Sequence, residues 1–305
     1  MTIDRGVPVD VGARPPLGDL LVATDFAPHA ASALDRALHL PQRRGAKLEL
    51  CHVLDDPSEP AVAARLEADA ARQLEALRAQ AVGVLTARGD HRRLVVALAH
   101  GRAVEQIAER AHHGRAELIV LGHHGAPRRG DVVLGSTAAR VIRGGSVSVL
   151  VVAGPAIAPY RRPLIAIDGS ASSRLALELV ARVCDPGLAE LDVVHVIPRA
   201  APVTGGEVLL DAAPAVGVDD ERRARTELGA FLAALAVGVR WNLIIRTGDP
   251  RTEILDEARL RDSDLLALGT LGRTGLRRVL VGSVAERVLR AADCDVLVAR
   301  LPDRG

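Results

Sequence analysis

The chain has 305 residues, 49% hydrophobic and 25% charged, which is the composition of soluble globular proteins and, at about 150 residues per domain, enough for two domains. Thirty-nine Lys plus Arg against 38 Asp plus Glu leaves a net charge of +1, so no bulk field draws the chain to nucleic acid or to an anionic membrane. Four aromatic residues, Phe26, Tyr160, Phe231 and Trp241, are too few for base-stacking platforms, and the single lysine, Lys47, excludes a pair of lysine-dependent phosphate loops. The three cysteines, Cys51, Cys184 and Cys294, lack C-x-x-C spacing and have apolar neighbours, the pattern of buried thiols. No apolar stretch is long enough to span a membrane, and the first residues carry acid and proline where a signal peptide needs a basic start and an apolar run. A cytoplasmic protein is expected.

Short continuous apolar runs alternate with amphipathic stretches, the signature of alternating strands and helices. In chain order the pattern predicts a strand over 19–24, a helix over 28–40, a strand over 47–53, a helix over 60–81 and a strand over 93–99. A helix over 102–112, a strand over 117–121, a helix over 136–143 and a strand over 147–152 follow. Residues 154–163 then hold three prolines in ten positions, a stiff linker. Beyond it the same unit recurs: residues 18–153 align with 162–300 at a period of about 145. The expected units are 16–154 and 161–302. Runs such as Leu118–Leu121 and Leu265–Leu268 have no polar alternate, so both their faces are covered, as in a parallel sheet between helix layers. The fold class read from this is α/β, two tandem doubly wound sheets, each with a cleft at the carboxyl ends of its strands.

The chemistry-bearing segments sit at those ends. Gly122-His-His-Gly125, nine residues and Gly135-Ser136-Thr137 in the first half match Gly269-Thr-Leu-Gly272, nine residues and Gly282-Ser283-Val284 in the second. Glycine after a strand lets backbone amides approach a ligand, and Gly-Ser at a helix start gathers unpaired N–H groups, a hydroxyl and the positive helix end. A phosphate site fits this pattern; tight turns kept by duplication are the other reading. Asp25 and Asp168 end the first strand of each half, and two roles stay open for them, helix N-cap or acceptor for a ribose hydroxyl or base edge.

Taken together, the Gly-x2-Gly-x9-Gly-Ser pattern, the openings Asp25-Phe-Ala-Pro28 and Asp168-Gly-Ser170, the strands ending Cys51-His-Val53 and Val194-His-Val196, and the stretch Gly282–Arg300 resemble the universal stress protein family. The resemblance covers nearly the whole chain, in tandem. It implies a Rossmann-like parallel sheet in the order 3-2-1-4-5, of the adenine nucleotide alpha hydrolase-like type. It also implies binding of ATP or another adenine nucleotide, with Mg2+ or Mn2+ bridging the phosphates, and a regulatory role in the stress response. In that family the strand-one Asp and strand-two Val lie near the nucleoside, and the glycine loop and Gly-Ser helix start wrap the phosphates. Carried over, the binding residues are Asp25, Val53, Gly122, Gly125, Gly135, Ser136 and Thr137 in the first half. In the second they are Asp168, Val196, Gly269, Gly272, Arg273, Gly282, Ser283 and Val284.

Each half departs from the family pattern once: Thr137 stands where Val is common, and Leu271 where His is. Ala126-Pro127 delays the basic residues of the first loop to Arg128 and Arg129, whereas Arg273 follows Gly272 directly, which favours the second site as the tighter. A long insertion, Arg199–Gly217, is either a lid over the second cleft or a surface loop. His52 and His195, inside apolar strands, read as hydrogen-bonded structural histidines rather than bases, and the adjacent pairs His112-His113 and His123-His124 have no convergent partners for a metal. No catalytic residue is identifiable, so at most weak ATP hydrolysis is expected. Two alternatives stay open: a nucleotide-free scaffold that recruits a protein partner, and a slow ATPase or ATP-dependent transferase. Single-domain family members pair through the last strand, so 147–152 and 295–299 are expected to join the halves as an internal pseudo-dimer, which leaves room for a homo-oligomer.

Overall fold

The computed structural model describes residues 4–5, 15–55, 60–123, 136–155, 159–185, 187–188, 190–199, 203–204, 207–208, 217–235, 240–270 and 282–302. The first half runs β1 (Asp4–Arg5), β2 (Leu20–Ala23), α1 (Pro28–His39), β3 (Lys47–Leu54), α2 (Pro60–Ala87), β4 (Arg93–His100), α3 (Ala103–His113), β5 (Leu118–Gly122), α4 (Ser136–Gly144) and β6 (Ser148–Val152). The second runs β7 (Pro163–Ala166), α5 (Ala171–Val183), β8 (Glu190–Pro198), β9 (Val203–Thr204), β10 (Glu207–Val208), α6 (Val218–Ala233), β11 (Arg240–Gly248), α7 (Pro250–Leu260), β12 (Leu265–Gly269), α8 (Ser283–Ala291) and β13 (Asp295–Ala299).

The predicted elements are present with ends shifted by a residue or two, except α2, which continues to Ala87 rather than stopping at 81. Leu74, Ala81 and Leu85 keep one face of α2 buried, and the chain turns only at Gly89, whose φ is +65°. There the Gly89 and Asp90 amides donate back to the Thr86 and Leu85 carbonyls, a glycine-terminated helix end. β1 was not predicted, because two residues give no periodicity; it pairs antiparallel with β11, Asp4 opposite Leu243. Within the Arg199–Gly217 insertion, β9 and β10 form a short antiparallel pair. The greater part of that insertion, with its expected lid role, lies outside the described residues.

Among the described residues every strand except β9 and β10 joins one sheet in the order β1-β11-β8-β7-β12-β13-β6-β5-β2-β3-β4. Each half therefore has its own strands in the order 3-2-1-4-5, all parallel. One apolar layer lies under α1, α2, α5 and α6, the other under α3, α4, α7 and α8, and both run through the two halves. Covered faces explain the absence of polar alternation: all five residues of β6 and of β13 are buried, including Ser148 and Asp295 at their starts.

The halves meet where β6 and β13 pair antiparallel, Leu150 opposite Leu297, so each last strand covers the other's edge. A buried polar cluster crosses the same junction. Asp295 of β13 accepts from Arg36 Nε of α1 at 3.0 Å, from the linker Tyr160 hydroxyl at 2.5 Å and from the Ala153 amide at 2.8 Å. The Arg36 guanidinium lies 4.1 Å from the Tyr160 ring centroid. Burial holds the Asp295 carboxyl above its ordinary range despite these donors. Arg182 of α5 bridges the halves again through Glu117. Cys51 and Cys184 are buried as expected, while Cys294 is partly exposed; burial pushes the Cys51 thiol up to about 11 and Cys294 to about 12, the state of unreactive thiols.

Candidate functional site

In each half the first and fourth strands are neighbours, and the chain leaves them for opposite faces of the sheet, which opens a crevice at their carboxyl ends. The first crevice has about 560 Å3 of open space and gathers Asp25, Val53, Gly122 and Thr137. The second has about 1310 Å3 and gathers Asp168, Val196, Gly269, Gly282, Ser283 and Val284. Ser136 begins α4, but its side chain is outside the description, and Gly125, Gly135, Gly272 and Arg273 lie outside the described residues.

Neither aspartate is a helix cap. The α1 cap is Ala27, with no side-chain bond, and the α5 cap is Ser170, whose hydroxyl accepts from the Ser173 amide. Each aspartate instead shapes the turn before its helix. Asp25 Oδ1 accepts from the Ala27 amide at 3.1 Å, and Asp168 Oδ1 accepts from the Ser170 amide at 3.0 Å and the Ser173 hydroxyl at 2.7 Å. Asp25 Oδ2 stands 3.2 Å from His29 Nε2.

His52 and His195 hold the same position in the two halves. Nδ1 of His52 donates to the Thr24 carbonyl at 2.7 Å, and Nδ1 of His195 donates to the Ile167 carbonyl at 2.8 Å. Because the partner is a carbonyl oxygen, Nδ1 must carry the proton. These bonds tie the second strand to the residue just before each aspartate, which is a structural role, as the sequence indicates.

The glycines fall into two kinds. A Cβ on Gly122 would stand 2.3 Å from the His29 carbonyl oxygen, and one on Gly269 would stand 2.3 Å from Ser172 Oγ. Helix packing alone therefore requires both. Gly282 caps α8, and its amide donates to the Thr270 carbonyl at 2.9 Å. The first helical bond of α8 runs from the Glu286 amide to Gly282 O, so the amides of Ser283, Val284 and Ala285 precede the helical ladder. They form, with the positive end of the helix dipole, a helix start whose polarity suits an anion, and it borders the second crevice.

Sequence reasoning missed several wall residues. His29, Ala103 and Ile107 line the first crevice, and Ser173, Pro250 and Ile254 line the second. His29 was findable by setting the halves side by side, since it matches Ser172, and Ser173 lies five residues from Asp168; the others come from packing between distant segments, which no local pattern records.

The architecture defines a class: a tandem, doubly wound α/β protein with a duplicated crevice at its switch points. The sequence model of the universal stress protein family matches residues 18–153 and 159–300. The chain belongs to that family. A universal stress protein of Bacillus subtilis is 29% identical over 147 residues, 46% of this chain and 99% of that one. Another from Methanocaldococcus jannaschii is 32% identical over 149 residues, 48% of this chain and 85% of that one. The crystal structure of a universal stress protein from Archaeoglobus fulgidus covers 92% of this chain and 98% of its own at a TM-score of 0.68 and 18% identity, a likeness of fold. No helix among the described residues is long and apolar enough to cross a membrane.

Proposed function

We propose that this chain binds an adenine nucleotide, ATP, and acts in the cytoplasm as a regulatory component of the stress response. The observation that carries the reading is the second crevice. Asp168, a hydrogen-bond acceptor, and the apolar Val196 stand on one wall, and the amide-rich start of α8 stands on another, around about 1310 Å3 of space. An apolar wall, an acceptor for hydroxyls and an anion site are the three demands of a nucleotide. The fit extends to the phosphate end, where a Cβ on Gly282 would stand only 3.3 Å from the Thr270 carbonyl oxygen, so the turn into α8 is kept narrow. Among the described residues no group of three or more His, Cys, Asp or Glu side chains converges. Magnesium or manganese would arrive on the phosphates, the usual mode for these ions. Binding would order the loops over the crevice and so alter what the surface presents to a protein partner.

The test is to denature the purified protein, identify any released nucleotide, and titrate the emptied protein with ATP and magnesium. Binding of ATP supports the reading; none would overturn it in favour of a scaffold without nucleotide. Ser283→Pro localises the site. Proline is tolerated at the first helical position, and Gly282, at φ −57° and ψ 147°, already has the conformation that precedes proline. The substitution removes one amide and one hydroxyl but keeps the helix. A charge-assisted hydrogen bond contributes about 1.5–3 kcal/mol, so affinity should fall about tenfold or more with the melting temperature little changed. Unchanged affinity would move the phosphates elsewhere.

A further inference from the structure

At an offset of 143 residues, Asp25-Phe26-Ala27-Pro28-His29 matches Asp168-Gly169-Ser170-Ala171-Ser172 without a gap. The two segments trace the same turn, since Phe26 has φ +66° and Gly169 has φ +78°. Their side chains do opposite things to the space beside the aspartate. Ser172 is only 2% exposed; its Oγ lies 3.0 Å from Ser170 Oγ, and its side chain packs under Gly269. His29, at the matching place, turns its imidazole to the Asp25 carboxylate and forms part of the first crevice wall. Phe26 adopts a left-handed backbone conformation that side chains disfavour, and its ring packs 4.2 Å from the His52 ring. The turn that presents His29 is thus clamped, and the first crevice has less than half the open space of the second.

We propose that the two crevices are specialised, and that His29 decides it: the imidazole takes the position beside Asp25 that a ribose would need, so the first crevice excludes nucleotide while the second accepts it. This inference rests on the nucleotide reading of the second crevice. A nucleotide entering the first would have to displace the ring from the very carboxylate expected to receive its hydroxyls. Duplication thereby leaves one crevice for binding and one whose aspartate is engaged by the chain's own side chain. The residues that differ, His29 and Ser172, stand in the first turn of the helix after the first strand and not in the glycine pattern.

Calorimetric titration of the full chain with ATP and magnesium should give one equivalent. His29→Ser, which installs the residue of the second crevice, should raise this to two. His29→Ala carries the same expectation and serves if the serine variant does not fold. In the double variant with Ser283→Pro, tight binding should fall back to one equivalent, now in the first crevice. Two equal equivalents in the unaltered protein, or one equivalent persisting in both His29 variants, would overturn the proposal while leaving the nucleotide reading intact. No binding by the unaltered protein or by either variant would remove the nucleotide reading itself, and the proposal with it.

Discussion

Gly122 and Gly269 are the residues of the glycine pattern whose necessity is plainest, and the cause is steric. Each lets the end of the fourth strand touch the first turn of the helix that follows the first strand, at distances no Cβ permits. Their presence would be required with or without a ligand, so they weigh less for nucleotide binding than the Gly282–Ser283 helix start. Gly122→Ala should destabilise the fold by about 1–3 kcal/mol, the usual cost of overpacking. The measurement is urea unfolding with and without ATP and magnesium. An equal loss in both series is expected; a loss seen only with ligand would return Gly122 to the phosphates.

The two helices that follow the first strands show how different sequences reach one geometry. In α5 the Ser170 hydroxyl caps the helix, and Ser173 fastens the turn to Asp168. In α1, Ala27 offers no side chain to the cap, and Pro28 supplies a preset φ at the helix start instead. Ser170→Ala should therefore cost about 1 kcal/mol of stability, the ordinary worth of an N-cap serine. It would show as a lower melting temperature. No change would mean that Ser173 and Asp168 hold the turn unaided. Single elements thus tolerate exchange, provided that the turn still presents the aspartate at the crevice.

Across the whole molecule, the two halves are fused into one sheet and locked by a polar cluster. Asp295 receives Arg36 from the first half and Tyr160 from the linker. This cluster has no counterpart at the pseudo-equivalent place, where Leu179 and Ser148 stand for Arg36 and Asp295. A charge buried with its partners is costly to break, since removal of one member strands another in a dry site. Asp295→Ala should lower the unfolding free energy by about 3–5 kcal/mol, read from denaturant midpoints. A shift within the scatter of surface substitutions would show that the β6–β13 pairing alone holds the halves together.

The strand and helix sequence and the covered, parallel character of each sheet were legible from local pattern and duplication, whereas the strand order and the pairing of the last strands were expectations carried by the family resemblance. Apolar strands without alternation demand two covered faces, and a repeat demands two of everything. Asp25, Asp168 and the Gly282–Ser283 helix start stood out because strand ends and helix starts carry local chemical signals. What the sequence left undecided were properties of geometry. Whether an aspartate caps a helix or shapes a turn, and whether His29 faces solvent or a carboxylate, are set by side-chain geometry within five residues, whereas the close approach of Gly122 and Gly269 to a helix joins segments from far along the chain. Local geometry and packing, neither of which carries periodicity, fixed those contacts. They also made two nearly identical motifs into crevices of unequal size.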